Sequence, residues 1–251
     1  NLHVSRDWKN NGVFIPGTGT VTFNSAISNQ VQTINVGIKT NETFYNLTLN
    51  NSNSARGINL VTNFELTVAN HLSLLSGDLR LTGEAQLIQN GATANPSSGT
   101  GKILKDQQGT QSSYHYNYWS SPVTTNGINY SIGGVLRDGS DSATNPFNPS
   151  ALNYGSDVNF ADGALTFPAN LSTGWMYKFT SVSTVYAGWQ HIGSTGTVNP
   201  AEGFTMKGTS GTDATIADAT ENVQNNTGSR QRYDFRGKPN DGTISIPVSN
   251  G

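Results

Sequence analysis

Phe44-Tyr45-Asn46-Leu47-Thr48-Leu49-Asn50-Asn51 decides the fold of this chain. Apolar and polar residues alternate through it until a pair of asparagines breaks the run. Alternation with period two puts Leu47 and Leu49 on one side of a strand. The same unit recurs as Ile58-Asn59-Leu60 after Gly57, Phe64-Glu65-Leu66-Thr67-Val68 after Asn63, Leu72-Ser73-Leu74 after Asn70 and Leu79-Arg80-Leu81 after Gly77. A breaker arrives about every six or seven residues, too often for an ordinary long-stranded sandwich and in keeping with a parallel β-solenoid of about three short strands per coil. Residues 1–105 are assigned to that solenoid, with Leu47, Leu49, Leu66, Val68, Leu72, Leu74, Leu79 and Leu81 facing inward. A sandwich of short antiparallel strands is the alternative for this region. Asparagine suits the corners, because it tolerates the left-handed backbone region and bonds along a ladder.

The texture changes after 90–101, a turn-rich stretch that reads as a loop or a module junction. Aromatic residues then cluster in Tyr114, Tyr116, Tyr118 and Trp119, in Trp175-Met176-Tyr177-Lys178-Phe179, in Gly203-Phe204-Thr205-Met206-Lys207 and in Gln231-Arg232-Tyr233-Asp234-Phe235. These read as strands of an antiparallel β-sandwich-like module over 106–251. Asn240-Asp241-Gly242 is a hairpin signal between Phe235 and Ile244, and 137–164 reads as a polar excursion loop.

Composition narrows the function. Charged residues are 12% of the chain and the net charge is −2, so there is no electrostatic case for nucleic acid or for an anionic membrane. No cysteine is present, which excludes disulfides, iron–sulfur clusters and a thiol nucleophile. No apolar run has the length of a membrane span. The absence of an initiating Met and of a leader, and the ending at Ser249-Asn250-Gly251, read as two cuts from a longer chain.

Three groups of residues then carry a family likeness: Asp7-Trp8-Lys9-Asn10-Asn11-Gly12 with Phe14-Ile15-Pro16-Gly17-Thr18-Gly19-Thr20-Val21-Thr22-Phe23-Asn24; Asn117-Tyr118-Trp119-Ser120-Ser121-Pro122-Val123; and Gly203-Phe204-Thr205-Met206-Lys207-Gly208-Thr209 followed by Tyr233-Asp234-Phe235-Arg236-Gly237-Lys238-Pro239-Asn240-Asp241-Gly242-Thr243-Ile244. Together with Phe44–Asn51 they closely resemble repeated segments of large surface proteins secreted by Bacteroidota. The resemblance implies export by type IX secretion, display on the outer cell surface or release from it, and an adhesin-like or gliding-associated role. It also implies that such chains continue past this terminus.

Reaction chemistry is harder to find. His3, His71, His115 and His191 are far apart in sequence and lack metal-ligand spacing. Gly99-Thr100-Gly101-Lys102 fails as a phosphate loop, because Pro96 stands where the first glycine belongs. No Gly-x-Ser-x-Gly elbow occurs. The first region offers Asp7, Glu42, Glu65, Asp78 and Glu84 as acids, with Glu65 and Arg80 expected side by side on the outward face as a weak ion pair. Asp138, Asp141 and Asp157, with Asp162 nearby, form a loose oxygen-rich loop that is a candidate calcium site. Asp141-Ser142-Ala143 matches a short O-glycosylation signal at Ser142. The Asn-x-Ser/Thr triplets at Asn41, Asn46, Asn129, Asn170 and Asn225 are taken as chance in an Asn-rich bacterial chain.

Tyr114, Tyr116, Tyr118 and Trp119 are the candidate ligand-stacking residues, since exposed rings stack on sugar faces at little entropic cost. Alternation puts the tyrosines on one face and Trp119 on the other. The preferred reading makes Trp119, Trp175 and Trp189 sandwich core with the tyrosines covering its edge, because a chain poor in aliphatic residues needs rings for core area. The expected protein is therefore a non-enzymatic, secreted surface protein for structural display and adhesion. Its partners are surface glycans or other surface proteins, and it requires no cofactor beyond the candidate calcium. A carbohydrate-binding module or a polysaccharide-degrading enzyme on a β-solenoid is the alternative.

Overall fold

A computed structural model of the chain describes residues 1–25, 31–34, 37–51, 56–96, 98–110, 112–155, 163–180, 188–209 and 230–246. The chain is all-β, and it divides into two compact units: Asn1–Asp106 with Asp241–Thr243, and Gln107–Asn240 with Ile244–Gly251.

The first unit is a parallel β-solenoid of about three coils. Its strands are β1 (Leu2–Val4), β2 (Thr20–Phe23), β3 (Gln32–Ile34), β4 (Asn41–Asn50), β5 (Ile58–Leu60), β6 (Glu65–Ser76), β7 (Leu79–Leu81), β8 (Gln86–Gln89) and β9 (Ile103–Thr110), the last of which carries the chain into the second unit. One parallel sheet runs β1-β2-β4-β6-β8, and β3, β5, β7 and β9 pair in parallel in the other. In-register pairing stacks like on like. Val21, Leu47 and Leu72 form one column, Phe23, Leu49 and Leu74 a second, and Ile58, Leu79 and Ile103 a third. All eight residues expected to face inward are buried. Each such side chain contributes roughly 1.5–3 kcal/mol, and no single coil can bury its own.

The strands are longer than the sequence rhythm suggests. Two pieces expected as separate strands, 64–68 and 72–74, join into β6, and β4 starts three residues before Phe44; the register between the two strands slips between Phe44 and Asn46. At that slip Asn70 donates its side-chain amide to the Asn46 side-chain oxygen, Oδ1, at 2.8 Å. The slip changes which residues point inward, from Glu42 and Phe44 to Leu47 and Leu49. Asparagine also marks other corners. Asn63 holds φ at 59°, and Asn51 accepts from the Ser25 amide at 2.9 Å. The described part of 90–101 is a loop that packs on the solenoid, with the Asn95 side chain accepting from the Leu72 amide at 2.8 Å. Gly99 and Gly101 press on β6 so closely that a Cβ would fall 2.2 Å from the Leu74 carbonyl oxygen and 2.3 Å from that of Gly77.

The second unit contains β10 (Tyr116–Ser120), β11 (Val123–Thr124), α1 (Ile132–Val135), β12 (Leu136–Asp138), β13 (Asn153–Gly155), β14 (Asn170–Ser172), β15 (Tyr177–Phe179), β16 (Trp189–His191), β17 (Gly203–Lys207) and β18 (Arg230–Pro239). An antiparallel sheet runs β10-β17-β15-β16. β18 pairs antiparallel with β11 and with β12. Trp119 joins the two arrays: its ring lies 6.3 Å from Phe204, 5.7 Å from Tyr233 and 6.0 Å from Phe235, all edge-on. Two sequence expectations need correcting here. The Asn240–Gly242 turn leads into no strand over 243–246; Pro239 pairs with Val123 instead. The 137–164 stretch opens with β12, and Phe147 within it is buried, so this part is tied into the core.

Candidate functional site

Strand alternation sorts the four-stranded sheet of the second unit into two unlike faces. Phe204 and Met206 point inward and are fully buried, with Trp119 on the same side. The opposite face is set by register. Tyr116 stands across from Lys207, Tyr118 from Thr205, and Ser120 from Gly203. Thr205 pairs on with Tyr177, Tyr177 with His191, and Phe179 with Trp189. Tyr116, Tyr118, Tyr177, Phe179 and Trp189 thus share one face with the His191 ring and Lys207, and Thr205, Gly203 and Ser120 are its small positions.

The rings touch across the sheet. Trp189 lies 5.3 Å from Phe179 and 6.5 Å from Tyr118. These three, with Trp119, Gly203, Phe204 and Thr205, line an open slot of about 290 Å³. That is at the low end of small-molecule pockets, about 300–1,000 Å³, and suits one ring more than an enclosed chain. Tyr118 is 69% exposed and Phe179 49%. What marks these rings is their grouping into one patch, since apolar side chains exposed singly need no explanation.

Beside the slot, Tyr116 lies 6.3 Å from Trp175 and 6.4 Å from Tyr118. Trp175 ends a single 3-10 turn, Thr173–Trp175, and the next residue, Met176, is fully buried and anchors it. The Lys207 ammonium sits 3.5 Å from the Trp175 ring centroid, 5.6 Å from that of Tyr116 and 6.0 Å from that of Tyr114. A cation within about 6 Å of a ring face is held by the ring quadrupole. Tyr114 is 80% exposed, and its turn is fixed by Ser112, whose hydroxyl accepts from the Tyr114 and His115 amides at 3.0 and 3.1 Å.

The four stacking candidates therefore separate. Tyr114, Tyr116 and Tyr118 lie on the open face, whereas Trp119, on the other side of β10, is half-buried and packs edge-on against Phe204, Tyr233 and Phe235. Trp175 and Trp189, expected in the core, stand with the tyrosines. The signal was present in Trp175-Met176-Tyr177-Lys178-Phe179: its odd positions share the open face, and only Met176 of the five is fully buried. Lys207 was missed because charge adjacency across strands depends on register, which a single segment does not show.

The other candidates fare differently. Asp138 is buried, and its two oxygens accept from the Ser140 amide at 2.9 Å and the Ala169 amide at 2.7 Å. Asp141 opens a turn and accepts from the Asn145 side chain at 2.9 Å. Asp157 and Asp162 lie outside the described residues. Among the described residues no three His, Asp or Glu side chains converge as a metal would require. The Ser142 hydroxyl accepts from Arg232 at 3.2 Å and is half-buried. Arg80 does not pair with Glu65; it is buried and bonds Asp106, whose second oxygen accepts from the Gly83 amide at 2.9 Å. A residue three positions past Ile103 reaches back to Arg80 because parallel stacking brings Leu104 beside it. Glu42 is also a structural acid. It accepts from Trp8 Nε1 at 2.9 Å and Asn10 at 2.7 Å, and pairs with Lys39 at 3.2 Å. Burial lifts its carboxyl, but the bonds from Asn10, Trp8 and Lys39 outweigh that and hold it below its ordinary 4.5. Among the described residues no helix is long and apolar enough to cross a membrane.

Comparisons with protein-family models, with curated proteins and with solved structures return no match.

Proposed function

We propose that this chain is a non-enzymatic adhesion segment of a secreted bacterial surface protein: a β-solenoid for display, and a second unit whose open aromatic face binds surface glycans. The single observation behind the glycan reading is the slot between Tyr118, Phe179 and Trp189. Flat apolar rings with a small-residue floor match the apolar faces of pyranose rings, and a rigid ring loses little entropy on contact. The surface location and type IX export rest on the motif resemblance. The non-enzymatic reading rests on what the acids do. Glu42, Asp106 and Asp138 are committed to structural donors, and Glu202 accepts from the Asn199 amide at 2.9 Å and pairs with Lys178 at 3.3 Å.

A glycan array probed with the wild type and with Trp189→Ala tests the reading. Binding by the wild type that disappears in the variant, at unchanged melting temperature, is the expected result. Equal binding by both would remove the slot as the site.

One observation favours a second reading. Glu65 and Glu84 both line an open groove of about 440 Å³ on the solenoid, with Thr40, Asn41, Asn63, Phe64 and Gln86. Two carboxylates facing one groove are what glycoside hydrolysis uses. Release of reducing ends from a polysaccharide panel, abolished by Glu65→Gln or Glu84→Gln, would establish it over the adhesion reading.

A further inference from the structure

We infer that the aromatic face selects acidic sugars: Lys207 is the receptor for a carboxylate carried on a pyranose ring that stacks in the adjoining row of rings. The inference rests on the glycan reading above and names the class of glycan.

Aromatic stacking alone is indifferent to charge, because every pyranose offers an apolar face. Selectivity must come from a polar group beside the rings. The four strands of this sheet, Tyr116–Ser120, Gly203–Lys207, Tyr177–Phe179 and Trp189–His191, contain no Asp or Glu. They contain two lysines, and the two differ. Lys178 is used up: it pairs with Glu202 at 3.3 Å and donates to the Thr197 carbonyl at 3.1 Å. Lys207 has no acid partner among the described residues and instead lies over the Trp175 ring with Tyr116 and Tyr114 beside it.

That position fixes a charge without neutralising it. The rings hold the ammonium by its electrostatic attraction to their faces, yet accept none of its three N–H bonds in the manner of an oxygen. A carboxylate is the partner that takes those bonds most strongly. Placement adds geometry. Tyr116 pairs directly with Lys207, and Tyr118, two residues along β10 on the same face, belongs to the slot. Residues two apart on a strand are separated by about 6.6–6.8 Å, about one sugar ring. A ring seated against Tyr118 and Trp189 therefore places a substituent or a neighbouring sugar over Tyr116, within reach of Lys207. The occupant is an oligosaccharide containing a hexuronate unit. A neutral chain would use the same rings and forgo the Lys207 contact.

The test is calorimetric titration of the full chain with trigalacturonate and with trimannuronate, each compared with its methyl ester, which keeps the ring and removes the charge. The acids are expected to bind at least about tenfold more tightly than their esters, with the advantage shrinking as salt is raised. Lys207→Met should erase the acid advantage while leaving ester affinity within about twofold, and Lys207→Arg should keep it. Acid and ester binding equally would overturn the inference and leave the glycan reading standing. Failure of both to bind would overturn the inference, and failure of the neutral glycans on the array as well would overturn the glycan reading itself. Melting curves of both variants guard against misfolding. An acid advantage that survives Lys207→Met would place the carboxylate elsewhere and also overturn the inference.

Discussion

Trp189 and Trp119 belong to opposite faces of one four-stranded sheet, the first 5.3 Å from exposed Phe179 and the second 5.7 Å from buried Tyr233. The same residue type therefore serves two purposes within one unit, and substitution should separate them. Trp119→Ala removes the ring that joins β10 to β18 and is expected to cost about 3–5 kcal/mol. Trp189→Ala trims a half-exposed edge ring and should stay within roughly 1 kcal/mol. Chemical denaturation of both variants checks this; equal losses would mean that the face assignments are wrong.

Gly203 provides a substitution that blocks the slot without disturbing the core. A Cβ there would meet nothing nearer than the Trp119 carbonyl oxygen at 3.4 Å. Gly203→Leu should fold normally and lose glycan binding, because the added side chain occupies the slot floor. Gly109 is the converse. Its missing Cβ would lie 2.7 Å from the Tyr233 ring and 3.1 Å from Trp119, so Gly109→Ala should destabilise by about 1–3 kcal/mol through overpacking. Thermal melting distinguishes the pair.

The Glu42 clamp gives a pH signature. Its folded-state carboxyl lies below the ordinary 4.5, so the ionised clamp stabilises the fold fully above that value, and the contribution is lost as pH falls through the lowered one. Glu42→Gln should cost about 1–3 kcal/mol at neutral pH, the range for a hydrogen-bonded charged group. The gap between wild type and variant should then narrow on acidification below about pH 4.5. A gap that stays constant would show that the carboxylate charge does not matter to the clamp.

Arg80 and Asp106 test the solenoid interior. Both side chains are almost fully buried. Arg80→Ala leaves Asp106 uncompensated and should cost about 3–5 kcal/mol, whereas Arg80→Met combined with Asp106→Leu should be close to neutral. A double variant as unstable as the single one would mean that the pair contributes more than its own neutralisation.

The solenoid was legible because its signal is local: Leu47-Thr48-Leu49 and Leu72-Ser73-Leu74 declare their inward face within three residues, and parallel stacking preserves it. Arg80 was misread because its partner lies one coil away, at a spacing set by a loop. Its burial is invisible in Leu79-Arg80-Leu81, where alternation puts it outward. The motif Asp7-Trp8-Lys9-Asn10, read in the sequence as part of a family resemblance, has a structural role that its own segment does not reveal: Asp7 accepts from the Thr33 amide at 2.8 Å, and Trp8 and Asn10 bond Glu42. The aromatic face was half legible. Its tyrosines alternate in one segment, but Trp175, Trp189 and Lys207 join them only through antiparallel register between strands far apart in sequence.

The tryptophan indole N–H signals offer the most direct test of the aromatic face. The chain has four tryptophans: Trp175 and Trp189 on the proposed binding face, Trp119 half-buried on the other side of the same sheet, and Trp8 bound to Glu42 in the first unit. Two-dimensional nitrogen–proton spectra recorded while trigalacturonate is added should show the Trp175 and Trp189 indole signals moving together to saturation, with that of Trp8 unmoved. Stationary Trp175 and Trp189 signals at ligand concentrations that produce binding by calorimetry would contradict the account, because the sugar would then be held by some other surface.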